Sequence, residues 1–205
     1  NYDTGIVLEH VAPHFKNDKE IVARAVAKRG EELQYASASL QDNEDIVYCA
    51  IVTSNRNLGN ALRWASPRLR ENPDFILSIY DSRHLPHCYS GFAFAADTLK
   101  ADPEFMLEAF KIDMSREQND YGYPDLYDPS SVDRKTFFLE YADKTLKSDR
   151  KFLLEAIKLW GMSLIFADKS LKADREFVLE AVKLSGTAIE YADDSLKADR
   201  ELVFE

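Results

Sequence analysis

Cysteine is scarce in this chain. Only Cys49 and Cys88 occur among 205 residues, too few for a disulfide framework, so we expect two plain buried thiols in a reducing compartment. Glycine numbers seven, leaving little for a phosphate-cradling loop, and neither G-x-S-x-G nor H-E-x-x-H is present. No apolar run approaches the roughly 18 residues that mark a membrane span. No basic stretch followed by an apolar one opens the chain as a secretory signal would. Basic residues are also short, 26 against 36 acidic, for a net charge of -10. Such a charge repels phosphate backbones and anionic bilayers, because binding to them relies on Lys and Arg displacing counterions. We therefore expect no nucleic acid and no membrane as partner. The first residue is Asn1 rather than Met, so we expect this stretch to belong to a longer protein.

What the chain has is a repeat. Ser148 to Lys172 and Ala173 to Lys197 are 25-residue units that align without a gap, and Asn17 to Gln41 is the same unit again. In the first half of each unit, apolar residues fall at relative positions 0, 1, 4 and 5, as in Phe177, Val178, Ala181 and Val182, which is one face of a helix (helix A). The same frame places Ile21, Ile46, Phe75, Phe105, Phe152 and Leu202 at the first core position. Before each stands Asp18, Asn43, Asn72, Asp102, Asp149, Asp174 or Asp199, the residue types that cap a helix start. Pro73 and Pro103 follow two of these caps, where a missing N–H costs nothing.

The second half reads as one further helix (helix B) carrying an aromatic, an Ala and a Leu: Tyr35, Ala36, Leu40; Trp64, Ala65, Leu69; Phe94, Ala95, Leu99; Tyr141, Ala142, Leu146; Phe166, Ala167, Leu171; Tyr191, Ala192, Leu196. The aromatic is expected to be core. His10 holds its place in a leading half unit and is expected to be a packed imidazole rather than a metal ligand with His14.

These units predict an all-α fold, an α-solenoid of roughly 25-residue two-helix repeats with right-handed stacking. We divide it as one domain, 1–205, with a half repeat at 1–16, repeats at 17–41, 42–70, 71–100, 101–147, 148–172 and 173–197, and a truncated repeat at 198–205. From each aromatic to the next helix A the spacing is always eleven, whereas from helix A to its own aromatic it is fourteen in regular units and eighteen, nineteen and thirty-six in three consecutive ones. All three insertions fall in the A to B loop, so they are expected side by side on one edge, a common place for a binding face.

That edge supplies the candidate partner contacts Asn55, Arg56, Arg83, His84, Tyr89, Tyr121, Tyr123 and Tyr127, the tyrosines because they offer large contact area at low entropic cost. His84, His87 and Cys88 are three metal-ligand types in five residues. Zinc takes about four ligands and only Cys49 offers itself as the fourth, so a polar turn set by Pro86 is the preferred reading. The acidic residues of the longest insertion do not follow the calcium-loop pattern. Glu108, Glu155 and Glu180 recur with Lys111, Lys158 and Lys183 three residues later, which is an exposed face of i to i+3 ion pairs rather than an acid–base pair. We expect no catalysis and no cofactor.

The units DREFVLEAVKLSGTAIEYADDSLKADRE and DRKFLLEAIKLWGMSLIFADKSLK resemble the repeats of the family labelled domain of unknown function 4116. That family's pattern runs Asp-x-Glu, an aliphatic stretch ending Glu-Ala-Val-Lys, a Gly, Leu-x-Tyr-Ala, and a Leu before the next Asp. The likeness is strong over Ser148 to Glu205, good over Asn17 to Asn43 and loose from Glu44 to Asp133. It implies tandem helical repeats in multidomain proteins of protists and intracellular bacteria, secreted effectors among them, and brings no catalytic residue. With the repeat pattern it points to a non-catalytic scaffold for protein–protein interaction, cytoplasmic or delivered into a host cytoplasm. The alternative is a structural or regulatory spacer beside a catalytic domain elsewhere in a longer chain.

Overall fold

The computed structural model describes residues 6–53, 60–81, 88–116 and 137–203, and every regular element among them is helical. The chain divides into two compact units, Asn1–Leu99 and Lys100–Glu205.

The long helices stand where the apolar pattern puts them: Lys19–Val26, Glu44–Thr53 and Pro73–Asp81 in the first unit, Pro103–Arg116, Arg150–Leu159 and Arg175–Leu184 in the second, with Arg200–Val203 opening another. All seven expected caps form. Asp18 accepts from the amides of Glu20 and Ile21, Asn43 from Ile46, Asn72 from Phe75, Asp102 from Glu104 and Phe105, Asp149 from Phe152, Asp174 from Phe177 and Asp199 from Glu201, at 2.9 to 3.2 Å. Each satisfies amides that the first turn cannot pair internally. The four-residue apolar sets of these helices are buried throughout, except that Ile21 is only half-buried.

The second half of the repeat is not one helix. A 3-10 segment comes first (Gly30–Tyr35, Asn60–Trp64, Cys88–Phe94, Gly161–Phe166, Gly186–Tyr191), and a four-residue α-turn follows (Ala38–Gln41, Pro67–Arg70, Asp97–Lys100, Lys169–Lys172, Asp194–Lys197). In the 101–147 repeat the corresponding pieces are the α-turns Phe137–Glu140 and Lys144–Lys147. Between the pieces the Ala is extended, as at Ala36 (φ -69°, ψ 158°) and Ala167 (φ -59°, ψ 148°). In four of the six repeats the residue after that Ala stabilises the break, whereas Ser37 makes no side-chain cap bond and Ala96 has no polar side chain to cap with. Ser66, Asp143, Asp168 and Asp193 each accept from an amide two or three residues on and so cap the short helix. A capping residue takes non-helical dihedrals, which forbids a continuous helix through it.

Breaking the helix frees one amide per repeat, and that amide reaches the preceding repeat. Ser37 donates to the Lys16 carbonyl, Ser66 to Gln41, Ala96 to Arg70, Asp143 to Lys100, Asp168 to Lys147 and Asp193 to Lys172, all at 2.8 or 2.9 Å. The side chain of the acceptor residue then turns back seven residues to a carbonyl of its own 3-10 segment or the turn in its place. Lys16 reaches Glu9, Gln41 reaches Gln34, Lys147 reaches Glu140 and Lys172 reaches Ile165. This backbone staple fixes the register between repeats and accounts for the polar, mostly basic residue that follows the repeat's Leu.

Tertiary packing also reverses one expectation about the aromatics. The deep residue lies two places earlier at Leu8, Leu33, Leu62, Phe92 and Leu164, with Leu139 in the corresponding α-turn, whereas in Gly186–Tyr191 the buried residue is Ala188 and Ile189 is half-buried. Tyr35, Trp64, Phe94, Tyr141, Phe166 and Tyr191 are half-exposed. In a 3-10 helix three residues make a turn, so a residue two places past the buried one rotates out to the edge. His10 is likewise not packed: its side chain is 78% exposed beside Glu9. His14 lies against the Phe15 ring at 4.0 Å between centroids.

Candidate interaction surface

The half-exposed aromatics meet cations at the joints between repeats. In the first unit the Lys16 ammonium lies 5.8 Å from the Tyr35 ring centre, and the Arg63 guanidinium lies 4.9 Å from Trp64 and 5.4 Å from Phe94. These distances fall inside the range of cation–π attraction. In the second unit the joint between repeats 101–147 and 148–172 opens a shallow groove of about 440 Å³, lined by Lys144, Lys147, Ser148, Phe166, Ala167, Asp168 and Lys169.

The charges in this groove have clear causes. The Asp168 carboxyl is lowered to about 2 by the Ser148 hydroxyl at 2.6 Å, the Leu171 amide at 2.9 Å and the Ser170 hydroxyl at 2.7 Å. It is a fixed anion, not a proton carrier. Burial holds the Lys147 ammonium below its ordinary pKa while Nζ donates to the Glu140 carbonyl at 2.6 Å. Lys144 and Lys169 are exposed at the first position of consecutive short helices. Asp143 acts on both Lys144 and Lys147, and Glu140 on Lys147, so charges of both signs surround the Phe166 ring.

Among the described residues one buried charge lies elsewhere. Glu32 is 3% exposed and accepts from the Leu8 amide at 2.7 Å while pairing with Arg29 at 2.5 Å. Equivalent positions hold Ala61, Ser163 and Ala188. Glu32 thus caps the first turn of the Leu8–His10 segment, a structural task that the sequence pattern did not reveal.

The residues expected from sequence fare unevenly. Asn55, Arg56, Arg83, His84, His87, Tyr121, Tyr123 and Tyr127 lie outside the described residues, and so do the side chains of Cys88 and Tyr89, whose backbones begin the 3-10 segment Cys88–Phe94. Cys49 is half-buried and not in a disulfide. Among the described residues no group of three His, Cys, Asp or Glu could hold a metal ion, and no helix is long and apolar enough to cross a membrane. The i to i+3 pairs form at Glu108–Lys111 (3.3 Å) and Glu155–Lys158 (2.6 Å), while Glu180 also lies 3.9 Å from Arg150 of the preceding repeat. The groove residues were missed, although the mostly basic residue after the repeat Leu was a visible signal.

No curated protein and no solved structure matches the chain. The family model described as Domain of unknown function (DUF4116) matches residues 3–41, 18–58, 130–172 and 174–205. These matches cover more than half of the chain, so the chain belongs to the DUF4116 family.

Proposed function

We propose that this chain is a non-catalytic helical-repeat scaffold that mediates protein–protein interaction, as a segment of a larger multidomain protein in a cytoplasm, its own or a host's. The observation that carries the reading is the recurrence of half-exposed aromatics beside cations at the repeat joints. Aromatic side chains flanked by basic ones are typical anchors of protein interfaces. The shifted carboxylates fit structural tasks: Asp42, Asp143, Asp168, Asp174, Asp193 and Asp199 are all held below the ordinary carboxylate range by hydroxyl, amide or arginine partners at caps and ion pairs.

The repeats run on as a right-handed α-solenoid in this proposal, with the three expanded connections on one edge as a second contact region through Asn55, Arg56, Arg83, His84, Tyr89, Tyr121, Tyr123 and Tyr127. The test is capture of partners from the native cell by the intact chain, by one with the three connections cut to regular length, and by Arg63→Ser with Trp64→Ser. Loss of a specific partner in either variant supports the scaffold. Equal capture by all three, with function retained when another solenoid of equal length is substituted, leaves a spacer instead.

A further inference from the structure

We infer that repeat 173–197 receives the leading half repeat of a second copy of this chain, head to tail, on the face corresponding to the one that repeat 148–172 buries against it. Among the described residues the exposed large hydrophobic side chains are Phe15, at 39%, and Leu184, at 42%. Phe15 belongs to the leading half repeat and Leu184 to repeat 173–197. Apolar side chains left in water on two matching surfaces gain by covering one another.

Register shows which surfaces these are. Leu164 and Leu171 of repeat 148–172 are buried, at 0% and 7% exposure, and Gly161 is closed by Ser185 and Thr187 of the following repeat. In repeat 173–197 the same register holds Ile189 and Leu196, which are only half-buried, and Gly186, which is exposed with nothing within 4 Å of a Cβ placed on it. In the leading half repeat Phe15 stands in the register of Leu40, which is 7% exposed. Each surface is thus of the kind that repeats bury elsewhere in the chain.

The backbone supplies the match between them. The amides of Ser37, Ser66, Ala96, Asp143, Asp168 and Asp193 all donate to the preceding repeat. Ala12 holds their register in the leading half repeat, with φ -59° and ψ 146° against -58° and 144° at Asp193, yet its amide has no acceptor among the described residues. Lys197 holds the register of Lys172, and its carbonyl has no donor among the described residues. A second copy brings the Ala12 amide to the Lys197 carbonyl and Phe15 to the surface that carries Leu184. Both polar groups are hydrated when unpaired, so the hydrogen bond fixes the register while apolar burial drives association. Donor, acceptor and apolar residues in one shared register select a second copy over an unrelated protein. The contact is heterologous, so each dimer still presents one head and one tail, and assembly continues or closes into a ring.

The experiment is sedimentation equilibrium of the whole 205-residue chain over a concentration series from micromolar upward. Ala12→Pro removes the amide and keeps the backbone, because φ already suits proline and Val11 before it is extended (φ -83°, ψ 157°). Leu184→Glu places a charge on the other surface at an exposed site. Circular dichroism verifies that both variants fold. The expected result is a mass that rises with concentration for the native chain and association about tenfold weaker in each variant. An equimolar mixture of the two variants is expected to regain native affinity at the one joint whose surfaces are both intact, and to stop at a dimer. A native chain that stays monomeric, a variant that associates as the native chain does, or a mixture no tighter than either variant alone overturns the head-to-tail contact. The scaffold reading keeps its own test, because capture of another protein does not require self-association.

Discussion

The amide of Asp168 donates to the carbonyl of Lys147 at 2.9 Å, and the carboxylate of the same Asp168 accepts from the Leu171 amide, also at 2.9 Å. One residue thus fastens a repeat to its predecessor and starts its own short helix. Asp168→Ala is expected to cost about 1–2 kcal/mol in urea unfolding at neutral pH, the usual loss for a cap. Its carboxyl pKa is lowered from 3.8 to about 2, so the stabilisation is full above the unfolded-state value and is lost as pH falls through the folded-state value. The stability gap between native chain and variant should therefore narrow as pH is lowered from about 5 toward 2. A gap that stays constant over that range would contradict the charged cap.

Gly161 and Gly186 occupy the same register in consecutive repeats but meet different surroundings. A Cβ on Gly161 would collide with Ser185 and Thr187 of the next repeat, coming within 2.6 Å of the Ser185 Cβ, whereas Gly186 has nothing within 4 Å. Gly161→Ala is expected to destabilise by about 1–3 kcal/mol through overpacking. Gly186→Ala should leave the melting temperature nearly unchanged. Equal effects at the two positions would refute close repeat-on-repeat contact there.

The repeat's Leu supplies a third contrast. Leu171 is buried, at 7% exposure, against half-exposed Leu196. Leu171→Ala should cost about 2–5 kcal/mol, the range for a buried cavity, and Leu196→Ala clearly less. Denaturant midpoints of the two variants decide it, and an inverted order would be inconsistent with the packing described.

Removal of the Glu32 carboxylate leaves the Leu8 amide without its acceptor and Arg29 without its counter-ion. For Glu32→Ala we expect a loss of about 1–3 kcal/mol, the penalty for an unpaired buried group. Hydrogen exchange at the Leu8 amide should quicken more than at Val178 in the second unit. Unchanged protection at Leu8 would show that this cap does not hold the segment.

Much of the fold was legible before any coordinates. Asp149 followed by Phe152, Leu153, Ala156 and Ile157 states a capped helix with one buried face, and the structure realises it residue by residue. The second half of the repeat was misread because Phe166, Ala167 and Leu171 also fit a helical spacing. Asp168 lies between them as a cap, and a cap and a mid-helix surface residue look alike in a pattern of apolar positions. The groove was invisible for another reason. Lys144 and Lys169 are 25 residues apart and become neighbours only when repeats stack.

By itself the sequence determined the repeat, its long helices, their caps and their core faces, because these depend on spacings of four residues or fewer and on local hydrogen bonds. Tertiary structure alone decided where the freed amide of each broken helix goes, which residue of the 3-10 segment is deep, and which side chains share a groove. Those outcomes depend on contacts between repeats roughly 20 to 40 residues apart in the chain. Local propensity says that a turn of helix ends, and only the neighbouring repeat says what its exposed groups will meet.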